Sequence, residues 1–251
     1  VDMGSGSDTV VFATSANAVT ASATAAFNAD FLSVEAIEVS AALVGTIDAA
    51  ALGGATIFNL NGNNNAGIIN SLASGSTVTL KDPSTTVTAN ISNAVVSTGD
   101  VLNIELANDS NSVNAFGTIT TAGTETVNIL MTDDGTVNNV VATLDTAVLV
   151  ATSATTINVS GNNGLTLTNT GNVAVTTFDA SGVVADTTTS DSAANLAVTF
   201  VSANVTATAT VAITGGAGND TLTGVAAIDT IVGGAGIDTI TGGTGADILT
   251  G

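Results

Sequence analysis

Short runs in which β-branched residues alternate with small polar ones fill the chain from residue 12 to residue 214. Examples are residues 76–80 (STVTL), 85–89 (TTVTA), 165–168 (LTLT), 197–201 (AVTFV) and 205–211 (VTATATV). A period of two built from Val, Thr, Ile and Leu predicts strands that turn one face to a core. Gly, Asn and Asp punctuate the runs, and the clusters 61–65 (NGNNN) and 161–164 (GNNG) suit left-handed corners. Short helical turns are expected only in the Ala-rich stretch 15–26 and in 48–52. The pattern reads as all-β.

A looser similarity links some of these strands. Segments 34–39 (VEAIEV), 55–60 (ATIFNL), 124–130 (TETVNIL) and 155–159 (TTINV) share the order Thr or Glu, aliphatic, polar, aliphatic. A recurrence every 20 to 30 residues or so is what a β-solenoid with variable turns gives, each coil hiding one face on the next. A β-sandwich also fits short alternating strands. The solenoid is favoured because an aromatic fraction of 3% is thin for a sandwich core, and because it runs smoothly into the C-terminal segment. Thr pairs do not recur at a constant spacing, so no flat threonine ladder is expected.

From residue 215 the period changes to nine: GGAGNDTLT, GVAAIDTIV, GGAGIDTIT, GGTGADILT, then Gly251. Asp220, Asp229, Asp238 and Asp247 recur in register, followed two places later by Leu222, Ile231, Ile240 and Leu249. The Gly-rich half must turn sharply, which glycine permits at positive φ, and the other half forms a very short strand with one inward aliphatic residue. With two nonapeptides per coil, Asp220 falls over Asp238 on one edge and Asp229 over Asp247 on the other. Carboxylates stacked beside turn carbonyls, with no nitrogen or sulfur donor, suit Ca²⁺. The candidate ligands are these four Asp side chains with the carbonyls of the turns Gly216-Ala217-Gly218, Gly234-Ala235-Gly236 and Gly243-Thr244-Gly245. The second copy departs from the pattern, with Val225 and Ala227 in glycine positions. Residues 3–11 fit one further copy, Asp8 in the ligand place and Val10 inward. The expected division is a partial turn at 1–11, a solenoid body at 12–214 and a nonapeptide roll at 215–251.

Charge sharpens the picture. Against 21 acidic residues stands one basic one, Lys81, for a net charge of −20 with no His. Nucleic acid and anionic membranes are excluded as partners, because both need Lys and Arg to neutralise phosphate. Self-repulsion at this charge disfavours a compact chain until divalent cations bind. Cysteine is absent, so neither disulfides nor thiolate metals hold the fold. No apolar run approaches the ~20 residues that span a bilayer. Without His, Cys, Tyr or Arg, the ordinary general bases and nucleophiles are missing. Paired carboxylates are the one remaining chemistry, but Asp133-Asp134-Gly135 reads as a turn, and Glu35 and Glu38, three apart, point to opposite faces of a strand. No catalysis is expected. Asp100, Asp186 and Asp191 are exposed candidates for Ca²⁺ held between subunits.

The nonapeptides resemble the repeats-in-toxin (RTX) β-roll of proteins exported by type I secretion. The phrases LSVEAIEVS, TETVNIL and TTFDASGV resemble the β-strand bodies of RTX-bearing surface-layer proteins. The resemblance implies an exported subunit that folds on meeting Ca²⁺ outside the cell and assembles with copies of itself into a lattice or filament at the cell surface. It also implies contact with cell-surface polysaccharide through a part outside this sequence. A rigid spacer or carrier segment of a large RTX adhesin or exported enzyme is the alternative, and ice binding through a threonine ladder is a third. The chain starts with Val, so a section of a longer protein or a processed piece is expected, with further repeats or a neighbouring subunit capping the roll and an export signal that lay beyond Gly251 or was lost.

Overall fold

The computed structural model describes residues 3–24, 27, 31–92, 98–108, 113–133, 144–185 and 192–251. Asp134, Gly135, Asp186, Asp191 and the last two residues of the Ala-rich stretch lie outside them. The described residues hold two parallel sheets. One contains β1 (Thr9–Phe12), β2 (Ala36–Val39), β4 (Ile57–Leu60), β6 (Thr77–Leu80), β8 (Val101–Asn108), β10 (Thr126–Asp133), β12 (Thr156–Gly161), β14 (Thr177–Val183), β16 (Thr210–Thr214), β18 (Ile228–Val232) and β20 (Ile248–Thr250), side by side in that order. The other contains β3 (Gly45–Asp48), β5 (Asn65–Leu72), β7 (Thr86–Ile91), β9 (Ala115–Thr120), β11 (Asp145–Val150), β13 (Leu165–Asn169), β15 (Val198–Val201), β17 (Thr221–Thr223) and β19 (Thr239–Thr241). From β2 onward the chain visits the sheets alternately, so each coil contributes one strand to each and lies on the coil before it. The molecule is a two-sheet β-solenoid, not a sandwich. Eleven strands at about 4.8 Å give a rod roughly 50 Å long.

The similarity among segments 34–39, 55–60, 124–130 and 155–159 has a simple origin, since all four are strands of the larger sheet. Their inward residues form one column, with Ile37 on Phe58, Phe58 on Val78, Val78 on Ile104, Ile104 on Ile129 and Ile129 on Val159. All of these are buried. Phe178 of β14 and Phe200 of β15 stack across the interior with centroids 3.8 Å apart. On the outer face, Asn158 Nδ2 donates to Asn128 Oδ1 and Asn128 Nδ2 to Asn103 Oδ1, each at 2.8 Å, which ties three coils together. The expected helical turns are α1 (Ser15–Ser22), capped by the Thr14 side chain accepting from the Asn17 amide, and a 3₁₀ turn at Ala49–Ala51.

The structure corrects one expectation and refines another. A single column of threonines does run along the smaller sheet, Thr146, Thr166, Thr199, Thr221 and Thr239 pairing in succession, while the companion positions two residues on include Val148 and Val201, so it is not a Thr-x-Thr ladder. Connections of unequal length absorb the irregular spacing, so strand register survives where sequence period does not. Asp100, expected at the surface, is 4% exposed, because it stands one residue before β8 in the same inward phase as buried Leu102.

Candidate metal centre

The nonapeptide coil is drawn tight by contacts that only glycine permits. Each aspartate curls back over the first glycine of its own repeat. A Cβ on Gly215, Gly224, Gly233 or Gly242 would lie 2.3, 2.2, 2.2 or 2.5 Å from Oδ2 of Asp220, Asp229, Asp238 or Asp247 respectively. The second and fourth glycines sit under the same restriction from the coil below, where a Cβ on Gly234 or Gly236 would meet the Gly216 or Gly218 carbonyl at 2.3 or 2.1 Å. Gly234 and Gly236 also take φ of +104° and +127°, which a side chain resists. The second repeat carries Val225 and Ala227 at the corresponding positions, and it stacks on the connection between β15 and β16, where Ile228 N donates to Ala209 O at 2.8 Å.

Two edges result, as the period requires. In the smaller sheet Leu222 stacks on Ile240, and in the larger sheet Ile231 on Leu249. Asp220 N donates to Asp238 Oδ1 at 2.9 Å, and Asp229 N donates to Asp247 Oδ1 at 3.0 Å. The structure thus brings together Asp220 with Asp238 and Asp229 with Asp247.

The two buried carboxylates differ in their partners. Asp220, 1% exposed, accepts from Val198 N through Oδ1 and from Gly216 N through Oδ2, both at 2.7 Å. Burial raises its pKa, those two amides pull it partly back, and the Asp238 charge raises it again. Asp229 is fully buried, and neither of its oxygens has a hydrogen-bond partner. Burial and then the Asp247 carboxylate raise its pKa, and the nearby Val225 amide offsets this only in part, without reaching hydrogen-bond geometry. The degenerate repeat therefore supplies the least satisfied carboxylate of the roll.

Of the turn carbonyls, Gly216 O accepts from Ala235 N at 3.0 Å and so belongs to the stacking ladder. The turns Gly234-Ala235-Gly236 and Gly243-Thr244-Gly245 are exposed at the rim, with Thr244 held through N and Oγ1 to Val225 O. Among the described residues no group of three or more Asp or Glu gathers. Each edge offers a pair of carboxylates, oxygen donors of the kind found in the six-to-eight-ligand shells that Ca²⁺ accepts. A buried carboxylate with two free oxygens fits a cation, because an uncompensated charge in that place is costly.

At the other end, Asp8 is half-buried just before β1, and Val10 packs against the core. Gly4 and Gly6 have φ of +89° and +145°, close to the +93° and +153° of Gly243 and Gly245. Asp8 N donates to Glu35 Oε2 at 2.8 Å, and Asp8 Oδ2 is buried without a partner. Glu35 here takes the place that Asp247 holds beside Asp229. The sequence gives no signal for it, since it lies on the next coil at an irregular distance.

The family pattern of the RTX calcium-binding nonapeptide repeat (4 copies) matches residues 212–227 and 223–251. No curated protein matches the sequence. The C-terminal segment is an RTX β-roll, and repeats of this kind bind Ca²⁺ and occur typically in secreted proteins.

Proposed function

We propose that this RTX calcium-binding chain is a structural subunit of an extracellular lattice or filament, of the surface-layer kind, that folds and self-assembles on meeting Ca²⁺ outside the cell. The observation that carries the reading is the continuous solenoid, whose two parallel sheets run from β1 and β3 without a break into the calcium-binding roll. A rod of this kind is a building element, and with Lys81 as the one basic residue its all-β parallel fold favours a structural segment over a catalytic one.

The mechanism is folding coupled to metal binding. Without Ca²⁺ the paired carboxylates repel, and strands of three residues bury too little to hold the roll. With it, Asp220 and Asp238 close one edge, Asp229 and Asp247 the other, and Asp8 with Glu35 closes the first turn. Copies of the chain are the principal partner, and cell-surface polysaccharide would be reached through a part outside this sequence. The second reading is a rigid spacer in a large adhesin or exported enzyme, which the same solenoid suits.

Self-assembly separates the two. Negative-stain microscopy with parallel circular dichroism, titrated from chelator to about 10 mM CaCl₂, the range of weak extracellular sites, is expected to show sheets or filaments that form with Ca²⁺ and dissolve in chelator. A gain of β-signal in particles that stay monomeric would replace this reading with the spacer.

A further inference from the structure

The buried edge of the roll has a recognisable set of features at Asp229. An aspartate precedes an inward aliphatic residue by two places, its N–H donates to a carboxylate one coil on, and its own carboxylate is buried with an oxygen that accepts nothing. The same set occurs in the middle of the body, far from any nonapeptide. Residues 99–102 read Gly-Asp-Val-Leu, with Leu102 fully buried. Asp100 is 4% exposed, its N–H donates to Glu125 Oε2 at 2.9 Å, and its Oδ2 is buried without a hydrogen-bond partner. The Asp100 carbonyl accepts from Glu125 N and Thr126 N, which fixes the two coils against each other.

The coil below adds a third oxygen. Ser76 directly precedes β6, the neighbour of β8, and is 1% exposed with an Oγ that has no partner. Val101 N donates to Ser74 Oγ at 3.0 Å and Asn103 N to Ser76 O at 2.9 Å, so the backbone around Ser76 and Asp100 is held. The register sets Glu125 level with Asp100 and Ser76 level with Leu102, so three successive coils bring two carboxylates and, two residues further along in the same inward phase as Leu102, a hydroxyl to the starts of neighbouring strands.

Asp145 shows how this fold treats a buried aspartate that needs no ion. Its oxygens accept from Asn108 Nδ2, Asn114 N and Asn163 Nδ2 at 2.8–3.1 Å, a closed cage of amides. Asp100 Oδ2 has no such cage. Lys81, the one basic side chain, follows β6 at its opposite end. A buried carboxylate oxygen facing neither a donor nor a cation is expensive, and a hard divalent ion removes that cost.

We propose that Asp100 and Glu125, with the Ser76 hydroxyl, hold a Ca²⁺ ion inside the solenoid body, separate from the repeat array. The donors are oxygens from three coils rather than one compact loop. This favours Ca²⁺, which tolerates irregular shells, over Mg²⁺, which demands a near-ideal octahedron and retains its water. The proposal rests on the reading of this chain as one that meets extracellular Ca²⁺. The ion would pin the middle of the rod as the roll ions pin its end.

The test uses the full chain. Bound Ca²⁺ is counted by equilibrium dialysis, and melting is followed in chelator and in CaCl₂, for wild type, Asp100→Asn, Glu125→Gln and, as a control in the roll, Asp229→Asn. Asp100→Asn and Glu125→Gln are each expected to bind one ion fewer per chain. Asp100→Asn should melt no lower than wild type in chelator, yet gain less from Ca²⁺. Asp229→Asn should lose its own ion whatever stands at residue 100, so failure at the roll and failure in the body are told apart. An unchanged ion count in both body variants, or an equal melting loss with and without Ca²⁺, would overturn the proposal and leave Asp100 a purely structural group. Glu125 is only half-buried, so its variant carries the test even if Asp100→Asn does not refold.

Discussion

Asp220 and Asp229 occupy equivalent positions in adjacent repeats and have opposite fates, the first held by two backbone amides and the second by none. Asp220 is thereby tied to the body through Val198 even before an ion binds, whereas the proposed cation is the one partner available to Asp229. Asp229→Asn should therefore weaken Ca²⁺ binding about tenfold or more, roughly 1.4 kcal/mol, without lowering stability in chelator, as read by calorimetric titration and thermal melts. Gly233→Ala should cost about 1–3 kcal/mol in CaCl₂, since its Cβ would collide with Asp238 Oδ2 at 2.2 Å. A melt unchanged by that substitution would contradict the curled-back aspartate. At this scale the nine-residue period revealed the four aspartates and their inward partners. It did not reveal why the first glycine of each repeat is required, because the contact is made by a side chain folding back across the turn. Nor did it reveal Glu35 or Glu125, which meet Asp8 and Asp100 from 27 and 25 residues away.

At the scale of the strand, alternation identified the strands and the loose similarity foretold one column of inward residues. Stacking is what the sequence conceals. A coil can close over a short turn, as between Ile57 and Thr77, or over a long excursion, as between Thr177 and Ala212, without changing strand register. For that reason the threonine column has no counterpart in sequence period. Phe178 and Phe200 fill the interior in the last coils of the body, and Phe178→Ala should cost about 3–5 kcal/mol in chemical denaturation. A loss below about 1 kcal/mol, the scale of a methylene, would show that the stacked pair is not supporting the core.

For the whole molecule, the dominant fact is a charge of −20 on a narrow rod. Burial pushes Asp145 up to about 6, with the Asn114 amide and Asn108 side chain lowering it in part and the Asp133 charge raising it. Asp220 and Asp229 shift the same way, with burial as the first cause. A carboxyl whose pKa is higher in the folded than in the unfolded state binds more protons when folded. Its contribution to stability is thus complete below the ordinary value of 3.8 and is lost as pH rises through about 6. In chelator the melting temperature should fall from pH 4 to pH 6.5. In CaCl₂ the trend should reverse, because the metal needs the ionised groups. In chelator this dependence belongs to Asp145 of the body, and a melting temperature that rises with pH there would show that its carboxyl carries no burial cost.

The central claim is that Ca²⁺ folds the C-terminal roll, and amide hydrogen exchange of the full chain in chelator and in CaCl₂ tests it most directly. The amides of Leu222, Ile231 and Ile240, which lie in strands of the roll, are expected to exchange freely in chelator and to become protected when Ca²⁺ is added. Equal protection of these amides in both conditions would mean that the roll folds without the metal and would contradict the claim.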